Sequence, residues 1–180
     1  MVVGLTGPNA AGKGEVAAHF RVLGFAVHSL SDVVREEAAA RGFPLDREHL
    51  IRTGNELRRA GGPGILAERI LARIGVRDVV DSIRNPAEVG VLRRIPGFLL
   101  LGVDAPARVR FDRSLARSRP GDPATFEAFE ERERQENSSD PDAQQLRATL
   151  LLADRIVRNE GTLEALRREV DRALAPERLL

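Results

Sequence analysis

The sequence predicts an α/β fold on a parallel sheet, and three observations carry that expectation. Short apolar runs alternate with stretches of helical periodicity along the chain. The first apolar run, residues 1–5, leads straight into a glycine-bounded loop at residues 7–13 and then into a helix. No linker, repeat or low-complexity stretch divides the 180 residues, so a single domain, 1–180, is expected around one sheet.

The elements follow in order. Residues 12–23 read as a helix with Val16, Phe20 and Leu23 at helical spacing, ended by Gly24. Residues 25–30 give a second strand. Ser31 or Asp32 caps the next helix, which runs to about Arg41 and stops at Gly42. Helices near 46–60 and 63–74 are parted by Gly61, Gly62 and Pro63. Residues 76–83 and 98–103 are apolar enough for two buried strands. Pro106 opens a helix to about Arg117, with Ala107, Phe111 and Leu115 as its apolar stripe. A Pro- and Gly-containing loop at 118–123 precedes a highly charged helix at 124–136. After a polar break at 137–142 come a helix at 143–152, a short strand near 155–157, and a last helix carrying Leu163, Leu166, Val170 and Leu174.

Two insertions interrupt the alternation, at 31–74 and at 106–152, leaving a core of 1–30, 75–105 and 153–180. Open parallel sheets bind ligands beyond the carboxyl ends of their strands. Both insertions leave from those ends, so both can fold over whatever the loop at 7–13 holds.

Composition narrows the function. Hydrophobic residues make up 42% and charged residues 31%, which suits a folded soluble domain. A net charge of +1 and an aromatic content of 4% give no case for nucleic acid. The absence of cysteine excludes disulfides and thiolate metal sites, and the three histidines are too scattered for a zinc cluster. No apolar run approaches a membrane span, and the first strand lacks the basic flank of a signal peptide. The expectation is a cytoplasmic monomer or homodimer that does not engage membranes and whose partner is a small-molecule nucleotide.

Of the 28 basic residues, 27 are arginine; the exception is Lys13, at the end of Gly7-Pro8-Asn9-Ala10-Ala11-Gly12-Lys13. In a strand–loop–helix of this kind, backbone N–H groups and the helix N-terminus point at phosphate oxygens. A compact ammonium on a flexible stem reaches the terminal phosphates where a planar guanidinium fits poorly. Asp81 ends the third strand, the usual place for an acid that holds magnesium, and Arg84 follows within reach of a phosphate. Asp32 and Arg35 share one helix face, as do Asn55 and Arg58; both pairs are candidates for the acceptor. Arg110, Arg113 and Arg117 form a basic stripe continued by Arg119, beside a loop suited to a mobile lid. Arg110 is farthest from that loop and is expected to matter least. The turn at Asn159-Glu160-Gly161-Thr162 lies where an adenine ring can rest, and Thr162 caps the last helix.

These motifs together resemble the nucleoside monophosphate kinase-like branch of P-loop NTPases. Residues 31–35, 55–58, 81–89 and 159–162 look more closely like small uncharacterised archaeal and bacterial kinase-like proteins. Those are similar to dephospho-coenzyme A kinases and to the kinase-like region of some deoxycytidylate deaminases. The resemblance implies a five-stranded parallel sheet with helices on both faces, a monophosphate-binding insertion at 31–74 and an arginine-rich lid near 113–123. It also implies ATP held by Gly7, Asn9, Ala10, Ala11, Gly12, Lys13 and Gly14, with Arg35 and Arg84 on the acceptor. Arg113 and Arg117 then face the transferring phosphoryl group, and Asn159 to Gly161 lie beside adenine. One position departs from the pattern: Gly14 stands where Ser or Thr normally holds magnesium, and Glu15 follows, so Glu15 and Asp81 are the expected Mg2+ residues. The expected activity is ATP-dependent transfer to a nucleoside or deoxynucleoside monophosphate. A dephospho-coenzyme A kinase, with Asp32 as base, and a nucleotide sensor without turnover are the alternatives.

Overall fold

The computed structural model describes residues 1–118 and 121–175. Strands β1 (Val2–Thr6), β2 (Ala26–Ser29), β3 (Asp78–Ile83), β4 (Phe98–Asp104) and β5 (Arg155–Arg158) form one parallel sheet in the order β2-β3-β1-β4-β5. The central strands β3, β1 and β4 bury both faces, which explains their near-continuous apolar sequences, whereas the edge strands β2 and β5 are largely partly exposed. On β4, Leu99, Leu101 and Val103 join one core cluster and Leu100 the other, as the two-residue period of a strand requires. Helix α1 (Lys13–Val22) and the final helix, Leu163–Leu174, pack on the first face through Phe20, Leu166 and Val170. Helices α2 (Leu30–Ala40), α3 (Arg47–Gly61), α4 (Ile65–Ile70) and α5 (Pro86–Leu92) cover the second through Leu30, Leu57, Leu66 and Leu92. A 3-10 turn, Leu71–Arg73, extends α4. The remaining helices are α6 (Ala107–Arg117), α7 (Phe126–Glu136) and α8 (Leu146–Leu150), and the final helix is α9.

Three local expectations change. Ser29, not Ser31 or Asp32, caps α2, its side chain accepting from the Ser31 N–H at 3.3 Å. The helix therefore starts earlier, and Asp32 lies in its first turn, where its charge faces the positive end of the helix dipole. Helix α5 is absent from the expected elements because seven residues containing a glycine show too little periodicity. Its signal is the capping box of Asn85 and Glu88 with Pro86 at the first helical position. On α6, Phe111 docks as expected, edge-to-face on Phe126 and Phe129, but Leu115 is 42% exposed. The buried stripe of α6 is Arg110, Phe111 and Ser114, because the helix packs on α7 rather than on the sheet.

Between β1 and β3 the register shifts: Gly4 pairs with Val80 but Thr6 with Ile83. The slack falls at Asp81 and Ser82, and Ser82 takes a left-handed φ of 65°. Such bulges re-aim side chains at strand ends. Here the irregularity is at the carboxyl edge of the sheet, next to the loop that follows β1.

Candidate active site

The loop after β1 is wedged between the ends of β4 and β5. Gly7, at φ 135°, has no room for a side chain: a Cβ would lie 2.0 Å from the Val103 carbonyl oxygen. A Cβ on Gly12, at φ 107°, would lie 2.2 Å from Asn159 Nδ2. That nitrogen donates to the Ala11 carbonyl at 2.8 Å, while the Asn159 N–H donates to the Asp104 carbonyl at 2.7 Å. Asn159 thus clamps the loop from behind. It is buried and engaged, so its side chain serves the loop. Gly161 is exposed on the turn that follows.

Lys13 begins α1 and curls over its own loop, its Nζ donating to the Gly7 and Pro8 carbonyls at 2.7 and 2.8 Å. The backbone ring so formed opens onto a cleft of about 680 Å³. Asn9, Ala10, Gly12, Gly14 and Glu15 line its floor, and Asp32, Arg35, Asp81, Arg84, Arg113 and Arg117 line its walls. The geometry therefore brings together donor-side and acceptor-side candidates from four separate segments. A Cβ at Gly14 would meet nothing within 4 Å, so the missing hydroxyl at that position is a matter of sequence and not of space.

A second pocket, of about 300 Å³, continues from the cleft between α2 and α3. Asn9, Ser31, Arg35, Ser82, Arg84 and Arg117 line both, so the two spaces are contiguous. The pocket is part apolar, with Leu30, Val34, Leu50, Ile51 and Leu66, and part cationic, with Arg47 and Arg58 beside the shared arginines. Arg84 is turned into this seam by the β3 bulge and donates to Gln144 Oε1 at 3.0 Å. Burial pulls its guanidinium below the ordinary arginine value, and the Glu136 carboxylate opposes that pull.

Arg58 and Asn55 are both engaged within the protein. Arg58 is 3% exposed, and its Nε and Nη2 donate to Glu88 Oε1 at 3.2 and 2.8 Å. The other oxygen, Oε2, accepts from the Arg84 and Asn85 N–H groups at 2.9 and 3.1 Å. Arg58 thus fixes the turn that carries Arg84. Asn55 accepts from Arg58 Nη1 at 3.4 Å and lines an outer cavity away from Lys13.

The arginine stripe of α6 also divides. Arg110 is buried, pairs with Glu133 through both terminal nitrogens, and donates to the Ala105 carbonyl at 2.8 Å and the Asn9 carbonyl at 3.4 Å. It pins α7 to the phosphate loop, so it is the structural member of the three rather than the dispensable one. Arg113 donates to the Asn159 carbonyl at 3.0 Å and to Oδ1 at 3.3 Å, while its Nη1 has no partner. Arg117 donates to Asp122 at 3.0 Å. Arg119 lies outside the described residues. Arg35 donates to Asp32 at 2.8 Å on the exposed rim of the cleft.

Sequence reasoning missed Arg47, Glu88, Glu133, Glu136 and Gln144. All come from the insertions or α5, and their spacing along the chain carries no periodic signal. No group of three or more acids, histidines or cysteines converges among the described residues. Magnesium in phosphoryl-transfer sites is held by one or two carboxylates together with substrate phosphates. Glu15 and Asp81, lining one cleft with the loop, fit that donor set. No helix among the described residues is long and apolar enough to cross a membrane.

No protein-family profile matches the chain. Among solved structures, TT1252 from Thermus thermophilus is similar with a TM-score of 0.62 and 28% identity, covering 98% of this chain and 97% of that one. Shikimate kinase from Aquifex aeolicus superposes with a TM-score of 0.57 at 19% identity over 99% of both chains, which establishes a shared P-loop kinase fold. By sequence, a UPF0200 protein of Pyrococcus horikoshii is 32% identical across 97% of this chain and 96% of its own length. A UPF0200 protein of Hyperthermus butylicus is 33% identical over 179 residues, 97% of this chain and 94% of its own. With such identity sustained along nearly its whole length, the chain belongs to the UPF0200 family.

Proposed function

We propose that this chain is an ATP- and magnesium-dependent kinase whose acceptor is a nucleoside or deoxynucleoside monophosphate. The observation that carries the reading is the contiguity of two spaces: a cleft over a phosphate loop, and a part-apolar pocket rimmed by arginines. An acceptor with a flat apolar body and an anionic end fits the second when its anion points at Arg35, Arg84 and Arg117.

Lys13 and the loop N–H groups hold the donor's terminal phosphates, and the exposed turn at Gly161 flanks the adenine. Asp81 and Glu15 hold magnesium, which neutralises charge on those phosphates. Arg84 and Arg35 orient the acceptor's oxygen. Arg113, through its unpartnered Nη1, and Arg117, once it leaves Asp122, stabilise the equatorial oxygens as charge spreads over them. Asp32 orients Arg35. The acceptor phosphate is already ionised at neutral pH, so no strong base is required.

The reading is tested by ADP release across ribo- and deoxynucleoside monophosphates and dephospho-coenzyme A. Release with one or more monophosphates is the expected result. Release with dephospho-coenzyme A alone would replace the acceptor class, and ATP binding without release from any acceptor would make the chain a sensor.

The lysine supplies a second test. Burial lowers the Lys13 ammonium to about 8, reinforced by the Arg84 and Arg110 charges and opposed by Asp81 and Glu136. Bound triphosphate favours the ammonium, so its pKa is higher in the complex than in the free protein. Above pH 8, binding must therefore take up a proton, and ATP affinity is expected to fall as pH rises, by up to about tenfold per pH unit. Calorimetry at pH 9 in two buffers of different ionisation enthalpy measures the uptake directly. Buffer-independent heats would place the Lys13 ammonium away from the phosphates.

A further inference from the structure

Glu136 is the last residue of α7 and is 6% exposed. Its position is doubly unfavourable: a helix C-terminus repels a carboxylate, and burial removes its water. It accepts from two donors, Asn9 Nδ2 of the phosphate loop and Arg47 Nη2 of α3. Both partners line the acceptor pocket, whereas Glu136 lines the cavity on the pocket's outer side. The carboxylate therefore engages, from outside, two donors that otherwise face an incoming anion. Its charge also bears on Arg84 and Lys13, partly opposing the burial that lowers the pKa of each. With Glu133 held by Arg110, itself in contact with Asn9, the end of α7 is anchored at the centre of the cationic site.

We propose, building on the kinase reading, that Glu136 is a selectivity residue of the acceptor site, an internal anion that holds Asn9 and Arg47 until an acceptor displaces it. A small free anion brings only charge and must compete with a carboxylate already seated. An acceptor with an apolar body adds burial against Leu30, Val34, Leu50 and Ile51, and that burial drives the exchange. Glu136 thereby rejects inorganic phosphate, and its release frees the end of α7 as the acceptor enters.

The test titrates inorganic phosphate by calorimetry, at constant ionic strength, into the wild type, Glu136→Gln, Glu136→Ala and Glu131→Gln. Glutamine keeps the shape and one acceptor oxygen while removing the charge and the second acceptor, and alanine removes the group altogether. Glu131, exposed on the same helix and bound to Arg134, controls for a general loss of negative charge. Either Glu136 variant is expected to bind phosphate about tenfold more tightly than the wild type or better, with Glu131→Gln unchanged. A residue with a merely structural role would weaken phosphate binding or leave it alone. No gain in a Glu136 variant that melts cooperatively, or an equal gain in Glu131→Gln, overturns the proposal. ADP release by the same samples, given ATP and nucleoside monophosphates, reports on the kinase reading separately, so failure of that reading shows there and not in the phosphate comparison.

Discussion

Replacing Lys13 by arginine is expected to lower kcat/KM for ATP by roughly 10²-fold or more, the scale of losing one preorganised charge at a phosphoryl-transfer site. The side chain enters a ring closed by the Gly7 and Pro8 carbonyls, with 2.7 and 2.8 Å contacts to a single nitrogen. A guanidinium is planar and longer, so it cannot make both contacts and also present a charge to the terminal phosphates. Lys13 belongs to neither core cluster, so the melting curve is expected to stay near that of the wild type. Steady-state kinetics, nucleotide titration and thermal unfolding of Lys13→Arg together check the point. Turnover like the wild type's would mean that the loop does not hold the donor.

The largest expected effect on stability comes from Arg58→Ala. Glu88 is fully buried, and removing its guanidinium leaves a charge without compensation, a loss of about 3–5 kcal/mol. In a chain of this size that corresponds to a melting temperature lower by roughly 10 °C. The second oxygen of Glu88 holds the Arg84 and Asn85 N–H groups, so the acceptor's KM is expected to rise as well. The double variant Arg58→Met/Glu88→Leu separates the two effects. It removes both charges and is expected to recover most of the stability while leaving the acceptor KM raised. A loss below about 1 kcal/mol in Arg58→Ala would show that water reaches Glu88 and that the pair does not anchor the turn.

The two predictions differ in how legible they were. Lys13 is readable because its chemistry depends on neighbours in sequence: a strand, two glycines and a helix start impose the loop with no help from distant residues. The strands and most helices are readable for the same reason, since buried strands and amphipathic helices write their periods into the chain. Helix α5 escaped because seven residues hold less than two full periods, although its capping box was present. Arg58 gives no such clue. On α3 it shares a face with Asn55, which suits a binding surface as well as a buried pair, and its partner Glu88 lies 30 residues away.

The arginine stripe of α6 shows the same limit. Arg110, Arg113 and Arg117 form one stripe by spacing, yet Arg110 is buried on Glu133, Arg113 leans on Asn159 and Arg117 pairs with Asp122. The sequence by itself determined the phosphate loop, the parallel α/β architecture and the segments that surround the cleft. Those follow from local backbone geometry and from periodic burial, which act between residues near one another in the chain. The tertiary structure alone decided which arginines are free for a ligand and which carboxylates hold the rest. A buried charge must find a counter-charge wherever the fold delivers one, and that distance is set by the packing of the insertions against the sheet, not by position along the chain.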